Sequence, residues 1–525
     1  MRRIYAILLS VMLVLALASA GCAKTAPATA PPAASPKAAS ETPPAPITFT
    51  MFVNHTWFWV DSFGGRPVDD EITKRTGVSL SIVKASDANQ MSVLVASGEY
   101  PDMFYTYRNA NLLTNPQVCY TWPELIKQYD PGFVLSPYEL AVNAAPDGNV
   151  YTIRNMYFTP EEWADPRSLP SPGLGSIDVR QDMMDKMGLP PIKNLTDFEN
   201  ALIKAKATYP DSTPLLLNMG DIGIQYFYCL FGLDSGFSTN LYADGNKVYY
   251  RINHPAYKAT LQFLNKLYRE GLLSAEMLTY SPEQVKGVLE SGKVFASAGF
   301  AGSEEQDNSV YQASNVEGTW KLLPIKMTDK ATYTDDGAGW AGVFISKKCK
   351  DPGRAIKFME FMKSVEGGRL TNWGIEGVHY NLDSQGYPVW TPEFGEMMKD
   401  YENTIKKVGI SAWQFAASGK YEGIRNYNPN IPVTLQALKD WKTIYQFKPW
   451  FQQIIPEIDT DENNTYTKLK QLDQDTEIQL IVQKTEADFN AKFDELIQKA
   501  NDMGMSGFQD WLTGRYATVY ARYNK

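Results

Sequence analysis

The 525-residue sequence contains few of the side chains that form disulfide bonds or bind transition metals. Its four cysteines and three histidines are Cys22, Cys119, Cys229, Cys349, His55, His254 and His379. The cysteines after Cys22 are odd in number and far apart, and the histidines are also widely separated. This pattern supports neither a disulfide framework nor a zinc site, whose ligands recur at short spacings. We therefore expect no metal ion or other cofactor.

The sequence also lacks any dense run of lysine or arginine. Lysine and arginine together number 50, against 59 aspartates and glutamates, which gives a formal net charge of −9 at pH 7. A surface of this sign repels the phosphate backbone of nucleic acids. Nucleic acid is therefore not expected as a partner.

Motifs that would mark a catalytic site are missing as well. The chain has no Gly-x-Ser-x-Gly for an activated serine, no His-Glu-x-x-His for zinc and no phosphate-binding Gly-x-x-x-x-Gly-Lys-[Ser/Thr]. Glycosidases need only two carboxylates at a suitable separation. Glu304 and Glu305 are adjacent acids that we interpret as solvated surface residues. No residue is predicted to be catalytic, although a surface-tethered polysaccharide hydrolase or lyase stays open as an alternative.

The N-terminal segment is typical of a secreted lipoprotein. A basic start, an apolar run over residues 4–18 and small residues at 19–21 precede Cys22, which is the organisation of a signal peptide and its cleavage site. The junction resembles a bacterial lipobox, whose cysteine becomes an acylated N-terminus. We predict a signal peptide over residues 1–21 and anchoring to the outer face of the cell membrane through palmitate-type chains on Cys22. The alternative is a retained membrane helix.

Residues 22–46 contain the acylated cysteine and then an Ala/Pro/Thr/Ser tract with almost nothing to bury. Such a composition predicts an extended, disordered tether. It would hold the folded part away from the membrane.

The folded part begins with alternating strand and helix signals. Apolar residues alternate over 47–53 and 78–82, and a turn at Pro101-Asp102 leads into a short third strand at 103–105. Helical spacing fills the intervals between these strands. Strands that alternate with helices predict a parallel sheet covered on both faces. The alternation therefore predicts an α/β fold class. The roughly 480 residues after the tether are enough for two such domains.

Later segments repeat this alternation. A strand is predicted over Val150–Ile153, and Thr196 is predicted to cap a helix that buries Phe198. Proline opens further helices at Pro255, Pro282 and Pro352, and the last 50 residues are mainly helical. No internal repeat is evident.

Five segments, in order, resemble family 1 extracellular solute-binding proteins, the sugar receptors of ATP-binding cassette importers. They are VASGEYPDMFYTY (Val95 to Tyr107), VRQDMMDKMGLP (Val179 to Pro190), VLESGKVFASAG (Val288 to Gly299), the stretch from Phe344 to Gly377, and the terminal YATVYARYNK. The nearest subgroup resembled is the large oligosaccharide-binding lipoproteins of Gram-positive bacteria. One departure is Met183, which stands where the family commonly has tryptophan.

The resemblance implies a type II periplasmic-binding-protein-like fold, with two α/β lobes joined by hinge strands and extra C-terminal helices. We assign residues 47–153 and about 322–372 to lobe 1, and residues 154–321 and about 373–525 to lobe 2. The implied function is capture of an oligosaccharide between the lobes and delivery to the permease subunits of an ABC importer. We expect the protein to be a monomer. A receptor for peptides or another polar solute remains an alternative function.

Candidate ligand contacts come from aromatic and planar polar residues at the predicted cleft, because sugar rings present flat C–H faces and hydroxyl rims. The chain has 12 tryptophans and 30 tyrosines. The candidates follow the first and third strands, lie in the glycine-containing approach to a later strand (Gly339 to Gly342), or lie in segments that resemble the family. They are Asn54, His55, Trp57, Trp59, Tyr105, Tyr107, Arg108, Asn109, Arg180, Trp340 and Trp373. Arg180 has a competing structural role, as an ion-pair partner of Asp182.

A calcium site is not predicted. The segment from Asp459 to Asn463 begins like a calcium-binding loop, but Lys470 stands where the bidentate glutamate should be. The Asp-x-Asp-x-Asn-Gly loop of many relatives is replaced here by Tyr209-Pro210-Asp211-Ser212.

Overall fold

A computed structural model of the chain describes residues 45–521, apart from 57, 88, 108, 171–173, 218–221, 234–238, 301–306, 309–310, 313, 336, 399, 427–431, 449 and 458–459. The predicted signal peptide, Cys22 and most of the tether lie outside the described residues. So do Trp57, Arg108, Glu304 and Glu305. Among the helices that are described, none is long and apolar enough to cross a membrane.

The described chain is a mixture of strands and helices. Its strands, in chain order, are β1 (Ile47–Val53), β2 (Val78–Lys84), β3 (Met103–Thr106), β4 (Gly175–Arg180), β5 (Thr213–Leu216), β6 (Leu241–Asp244), β7 (Lys247–Tyr250), β8 (Val294–Phe300), β9 (Trp320–Leu322), β10 (Tyr333–Asp335), β11 (Gly342–Ile345), β12 (Tyr380–Leu382), β13 (Pro388–Trp390) and β14 (Tyr445–Phe447). Its α-helices are Pro67–Thr76, Gln90–Ser97, Trp122–Tyr129, Pro137–Val142, Pro160–Ala164, Gln181–Lys186, Leu195–Thr208, Ile222–Phe231, Pro255–Arg269, Pro282–Glu290, Pro352–Lys363, Val365–Trp373, Pro392–Met397, Tyr401–Val408, Gly419–Asn426, Pro432–Ile444, Asp461–Ile481, Glu486–Asp502 and Met505–Tyr520.

The first sheet has the order β11-β3-β1-β2. β1 pairs in parallel with both β2 and β3, and the helices Pro67–Thr76 and Gln90–Ser97 make the connections. The first connecting helix starts at a proline in its first turn and ends at Gly77, whose φ of 66° suits glycine. The predicted β-α-β-α-β run is thus confirmed. We call the residues packed around this sheet the first lobe.

The fourth strand of this sheet departs from the all-parallel prediction. β11 runs antiparallel to β3, with Gly342 opposite Thr106. The chain enters β11 at the edge where β3 ends, so it has to run back along its neighbour. The predicted strand at Val150–Ile153 is also absent from the described elements. Val150 makes only an isolated bridge, to Ala144.

The second sheet has the order β5-β8-β4-β9, and we call the residues packed around it the second lobe. β5 and β8 are parallel, whereas β4 runs antiparallel to β8 and β9. The helix Leu195–Thr208 packs against this sheet, and its cap is Asn194, not Thr196 as predicted. The Asn194 side chain accepts a 2.9 Å hydrogen bond from the Asp197 backbone N–H. Asparagine and threonine both cap helices, so the residue type alone did not decide the position.

The C-terminal third of the chain is divided between the lobes. Side chains from Phe394 to Ala416 belong to the core of the first lobe. Those from Ala437 to Val519, including the three last helices, belong to the core of the second. The lobe boundaries predicted from the sequence assign all residues after about 373 to lobe 2. In the structure, the buried side chains from Phe394 to Ala416 pack in the first lobe instead. Trp413 shows why, because its indole donates a 2.8 Å hydrogen bond to buried Asp69 in the helix Pro67–Thr76 of the first lobe.

Candidate functional site

A cleft of about 1530 Å³ is lined by residues of both lobes. The first lobe contributes Thr106 at the end of β3, Tyr107 after it, and Gly342 at the start of β11. The second contributes Phe451 and Trp511 from its C-terminal segment. The volume exceeds the roughly 300–1,000 Å³ of ordinary small-molecule pockets. A ligand larger than a single sugar or amino acid therefore fits.

One end of the cleft is a packed group of aromatic rings from the first lobe. The His55 ring stacks on Tyr107 with 5.0 Å between centroids and 17° between planes. Trp340 lies 5.4 Å from His55 and 5.7 Å from Tyr107. His55 is only 2% exposed, whereas Tyr107 and Trp340 are each 38% exposed and line the cleft. The buried imidazole thus supports two rings that are partly exposed to the cleft.

Trp59 and Asn109 also line this end of the cleft. Trp59 is 41% exposed, which is the largest exposed fraction among the described tryptophans at the cleft. Asn109 has a φ of 54°, a left-handed conformation that asparagine tolerates better than most residues. Trp57 and Arg108, which were predicted beside them, lie outside the described residues.

Asn54 and Tyr105 support the aromatic group from below. The Asn54 side chain donates a 3.1 Å hydrogen bond to Thr106 Oγ1 and is 4% exposed. Tyr105 is 2% exposed, and its hydroxyl accepts a 3.1 Å hydrogen bond from Asn155 Nδ2. Burial raises the pKa of Tyr105 far above its usual value, so the ring stays neutral. Both residues hold the cleft wall and do not present a surface to it.

Two chain segments run side by side where the lobes join, residues 153–158 and 337–342. Asn155 is fully buried between them, and its backbone N–H and side-chain oxygen both bond to Ala341. Gly339 has a φ of 83°, and a Cβ there would lie 1.9 Å from the Asn155 carbonyl oxygen. Only glycine fits this approach. The two segments cross between the core of the first lobe and the core of the second.

A polar part of the cleft was not predicted from the sequence. Tyr401, Ser411, Gln414 and Glu422 line it from the first lobe. The Tyr401 hydroxyl donates a 2.8 Å hydrogen bond to Ser411 Oγ, and buried Arg425 bonds to both Ser411 and Glu422. These residues come from short helices and loops without a recognisable pattern. Nothing in their spacing marked them.

The facing wall, from the second lobe, was also missed. Trp511, Gly514, Arg515, Thr518 and Val519 line the cleft from the last helix. Their spacing follows one face of a helix, so this periodicity was a usable signal. Gln453 of the same lobe donates a 2.5 Å hydrogen bond to the Ala141 carbonyl of the first lobe. The two walls therefore also touch at Ala141, beside Val142 and Asn143, which bond to Arg154 of the crossing segment 153–158.

A family described as bacterial extracellular solute-binding protein has a sequence model that matches residues 65–369. This is more than half of the chain. The chain belongs to this family. The family's extracellular character gives the solute-binding protein an extracytoplasmic location.

Solved structures support the same fold. An alginate-binding protein, AlgQ2 without calcium ion, is 18% identical with a TM-score of 0.64, covering 91% of this chain and 100% of its own. A solute-binding protein from Bifidobacterium longum infantis, described as binding HMO and associated with an ABC transporter, is 14% identical with a TM-score of 0.66, covering 91% and 99%. FusA of S. pneumoniae, in complex with kestose, is 16% identical with a TM-score of 0.64, covering 91% and 100%.

These neighbours confirm the type II periplasmic-binding-protein-like fold that the sequence predicted. The family and the neighbours are binding proteins, not enzymes. No curated protein matches the chain by sequence.

Arg180 of the solute-binding protein is a structural residue in this arrangement. Its guanidinium is buried, pairs with Asp182 at 2.7 Å and also bonds to the Gly292 and Glu317 carbonyls. The guanidinium stacks over Tyr311, 4.9 Å from the ring centroid. The pairing that the sequence offered as the competing role is therefore present. A ligand would have to displace several internal bonds to reach Arg180.

Trp373 differs most from its expected position. It is 2% exposed and packs between Tyr380 and Tyr421, and its indole N–H donates a 2.8 Å hydrogen bond to the Tyr421 carbonyl. The ring ends the helix Val365–Trp373 and does not lie in an open loop. No face of it is available to a ligand in this structure.

The Pro101-Asp102 step of the family-like segment has a structural role. Asp102 Oδ2 accepts 2.8 Å hydrogen bonds from the backbone N–H and hydroxyl of Thr50, and Oδ1 accepts one of 2.9 Å from the Lys350 N–H. Burial alone would raise the pKa of Asp102, but these bonds and the nearby Lys350 ammonium hold it below its usual value. Asp102 thus links β1 and the start of β3 to the segment that follows β11.

The segment compared above with a calcium loop is mostly helical. Asp461 and Asn463 lie in the first turn of the helix Asp461–Ile481, capped by Thr460. Asp459 lies outside the described residues. Within the described part of the chain, no group of three or more histidine, cysteine, aspartate or glutamate side chains is close enough to hold a metal ion.

Proposed function

We propose that this solute-binding protein captures an oligosaccharide in the cleft between its lobes and delivers it to an ABC importer. The observation that carries the proposal is the cleft itself. It holds about 1530 Å³, with exposed aromatic rings at one end and hydroxyl, amide and carboxylate groups beyond them. Aromatic faces match the C–H faces of sugars, and the planar polar groups match their hydroxyl rims. The carbohydrates named in the neighbouring structures agree with this chemistry.

The proposed mechanism is closure of the two lobes around the ligand. A ligand that contacts both walls binds the closed form better than the open one, and only such a difference in affinity shifts the equilibrium. A shift from mostly open to mostly closed needs about 10⁴-fold preference. Contacts on Trp340 from one lobe and Trp511 from the other would contribute to it. The Asn155–Ala341 crossing is the proposed hinge, and no catalytic residue is part of the proposal.

Trp340→Ala should weaken oligosaccharide binding by about tenfold or more, as expected for an aromatic anchor in a binding site, with little loss of stability. The first step is a thermal-shift screen of the mature protein over an oligosaccharide library. A ligand at about 100 times its Kd stabilises the protein by ~2.7 kcal/mol. Calorimetry then compares the Kd of the variant with that of the parent protein for the ligand found. Solution scattering of the parent protein should show a smaller radius of gyration with ligand than without it.

Tyr129→Ala is the matched control. Tyr129 belongs to the first lobe and is 38% exposed, the same fraction as Trp340, but it lies on the helix Trp122–Tyr129 against Gly353. It should bind sugars like the parent. If no oligosaccharide shifts the melting temperature, or if both variants bind equally well, the proposed cleft or ligand class is wrong.

We further propose that acyl chains on Cys22 anchor the protein to the outer face of the membrane. The signal-like segment before Cys22 supports this assignment. Cys22→Ser should leave an unacylated protein that is unprocessed or shed. Fractionation and metabolic labelling with palmitate measure both effects. Retention of mature, unlabelled Cys22→Ser protein in the membrane after a high-salt wash would contradict the proposed anchor.

A further inference from the structure

Five charged side chains line the described part of the cleft, and three of them are acidic. They are Arg154, Asp335, Glu422, Glu457 and Arg515. The acidic majority at the cleft has the same sign as the net charge of the chain, −9. The partners of the two arginines decide what kind of ligand this lining accepts.

Both arginines already bond to acceptors within the protein. Arg515 Nε donates to the Gln453 carbonyl at 3.0 Å, and its two terminal nitrogens lie 3.3 and 3.4 Å from Glu457 Oε1. Arg154 donates to the Val142 carbonyl at 2.8 Å and to Asn143 Oδ1 at 3.4 Å. An acidic ligand would have to compete with Glu457 for Arg515 and with the chain itself for Arg154.

The carboxylates of Glu422 and Asp335 each accept a hydrogen bond from within the protein. Glu422 Oε1 accepts a 2.8 Å bond from buried Arg425, and the Glu422 side chain is 16% exposed. Asp335 Oδ1 accepts a 2.7 Å bond from the Gly337 N–H. An ionised carboxylate offers about four acceptor positions. Each acid therefore has capacity for the hydroxyl groups of a sugar, whereas a ligand carboxylate would bring a like charge.

We propose that the cleft selects uncharged oligosaccharides and rejects chains whose sugars carry carboxylates, such as uronates. The inference rests on the proposed function and narrows its ligand class. Hydroxyl donors pair with Asp335, Glu422 and Glu457. Like charges placed against each other across an interface are a common device for excluding wrong partners.

The test uses pairs of oligosaccharides that differ only in charge. Malto-, cello-, xylo-, manno- and fructo-oligosaccharides of matched length form the neutral panel, and oligogalacturonides and alginate oligosaccharides the acidic one. For any neutral glucan that binds, its C6-oxidised uronate counterpart is compared by calorimetry. We expect the uronate to bind about tenfold or more weakly, since like-charge contact opposes it. The difference should shrink as salt is raised, because added ions screen exposed charges.

Glu457→Gln tests the role of the Arg515 pair. Removing this carboxylate frees the Arg515 guanidinium for a ligand acid, so the ratio of neutral to uronate affinity should fall by about tenfold. Glu486→Gln is the control for net charge. Glu486 is exposed at the start of the helix Glu486–Asp502, away from the cleft lining. It should leave the ratio unchanged.

The outcomes separate this inference from the proposed function. Uronates that bind as tightly as neutral sugars, or more tightly, overturn charge selection while leaving oligosaccharide capture intact. An unchanged affinity ratio in Glu457→Gln removes Arg515 and Glu457 from the explanation and overturns the inference in this form. If neither panel binds, the proposed function and the inference both fail.

Discussion

Truncation of Trp373 to alanine is expected to lower the free energy of unfolding by about 3–5 kcal/mol, the range for large aromatic side chains removed from a core. The side chain is 2% exposed and packs in a small cluster with Tyr380, Tyr421 and Ile424. The variant also leaves the Tyr421 carbonyl without its 2.8 Å indole donor. Both losses fall on the packing that holds the helix Val365–Trp373 against the segment around Tyr421.

Trp340→Ala is the matched substitution, since the chemical change is identical and only burial differs. Trp340 is 38% exposed, so its truncation should cost little stability and mainly affect ligand binding. Trp373→Phe separates the two losses at Trp373. It keeps most of the ring and removes the indole N–H, at a cost of about 1–3 kcal/mol for the unsatisfied carbonyl.

Urea unfolding followed by circular dichroism measures these differences, provided that the slope with denaturant stays the same among variants. The structural assignment predicts a large fall in the midpoint for Trp373→Ala and a small one for Trp340→Ala. The reverse order, or a Trp373→Ala protein of normal stability that no longer binds sugar, would return Trp373 to the ligand site.

The strands and helices of the first lobe were predictable because their signals are local. Alternating apolar residues mark β1 and β2, and Gly77 ends the helix between them. The orientation of β11 was not predictable in this way. It depends on where the chain re-enters the sheet after crossing from the second lobe, which is a property of the whole path.

The residues of the candidate site were also predictable only where their signals are local. Residues that directly follow a strand, such as Tyr107 and Asn109, line the cleft as predicted, because strand ends meet at one edge of a sheet. Whether they bind ligand stays a prediction. Glu422 and Arg515 were missed because tertiary packing of distant segments brings them to the cleft. Trp373 was selected as a ligand contact but is buried at the end of a helix. The sequence did not separate these cases, because a tryptophan beside glycine fits either a loop contact or a buried helix end.

Arg251→Met should also cost about 3–5 kcal/mol, since removing one partner of a buried ion pair leaves the other charge uncompensated. Arg251 Nε bonds to Asp473 at 2.7 Å, and a terminal nitrogen bonds to Glu477 at 2.6 Å. Asp473 is fully buried, Glu477 is 8% exposed, and Tyr257 donates a further 2.5 Å bond to Asp473. The network joins the helix Asp461–Ile481 to the rest of the second lobe.

Arg269→Met is the control, because it removes the same charge from an exposed position, where Arg269 Nε donates to Asn265 Oδ1 one helical turn away. A change within about 0.5 kcal/mol is expected there. Restoring neutrality in Arg251→Met by adding Asp473→Asn and Glu477→Gln should recover part of the loss. An Arg251→Met protein as stable as the control would mean that the buried carboxylates are compensated in some other way.

The pH dependence of the loss identifies its cause. Burial raises the pKa of Glu477 to about 7, with Arg251 opposing the rise and Asp473 adding to it. Between the usual pKa of 4.5 and about 7, native Glu477 holds a proton that the unfolded chain releases, so stability falls as pH rises through this window.

Without Arg251 the pKa of Glu477 in the native protein rises further, because the opposing charge is gone. The destabilisation of Arg251→Met should therefore be greater at pH 8 than at pH 5, and Glu477→Gln should remove much of that difference. A loss that is equal at both pH values would attribute the effect to packing of the arginine over the Tyr228 and Tyr257 rings, with no contribution from the buried charges.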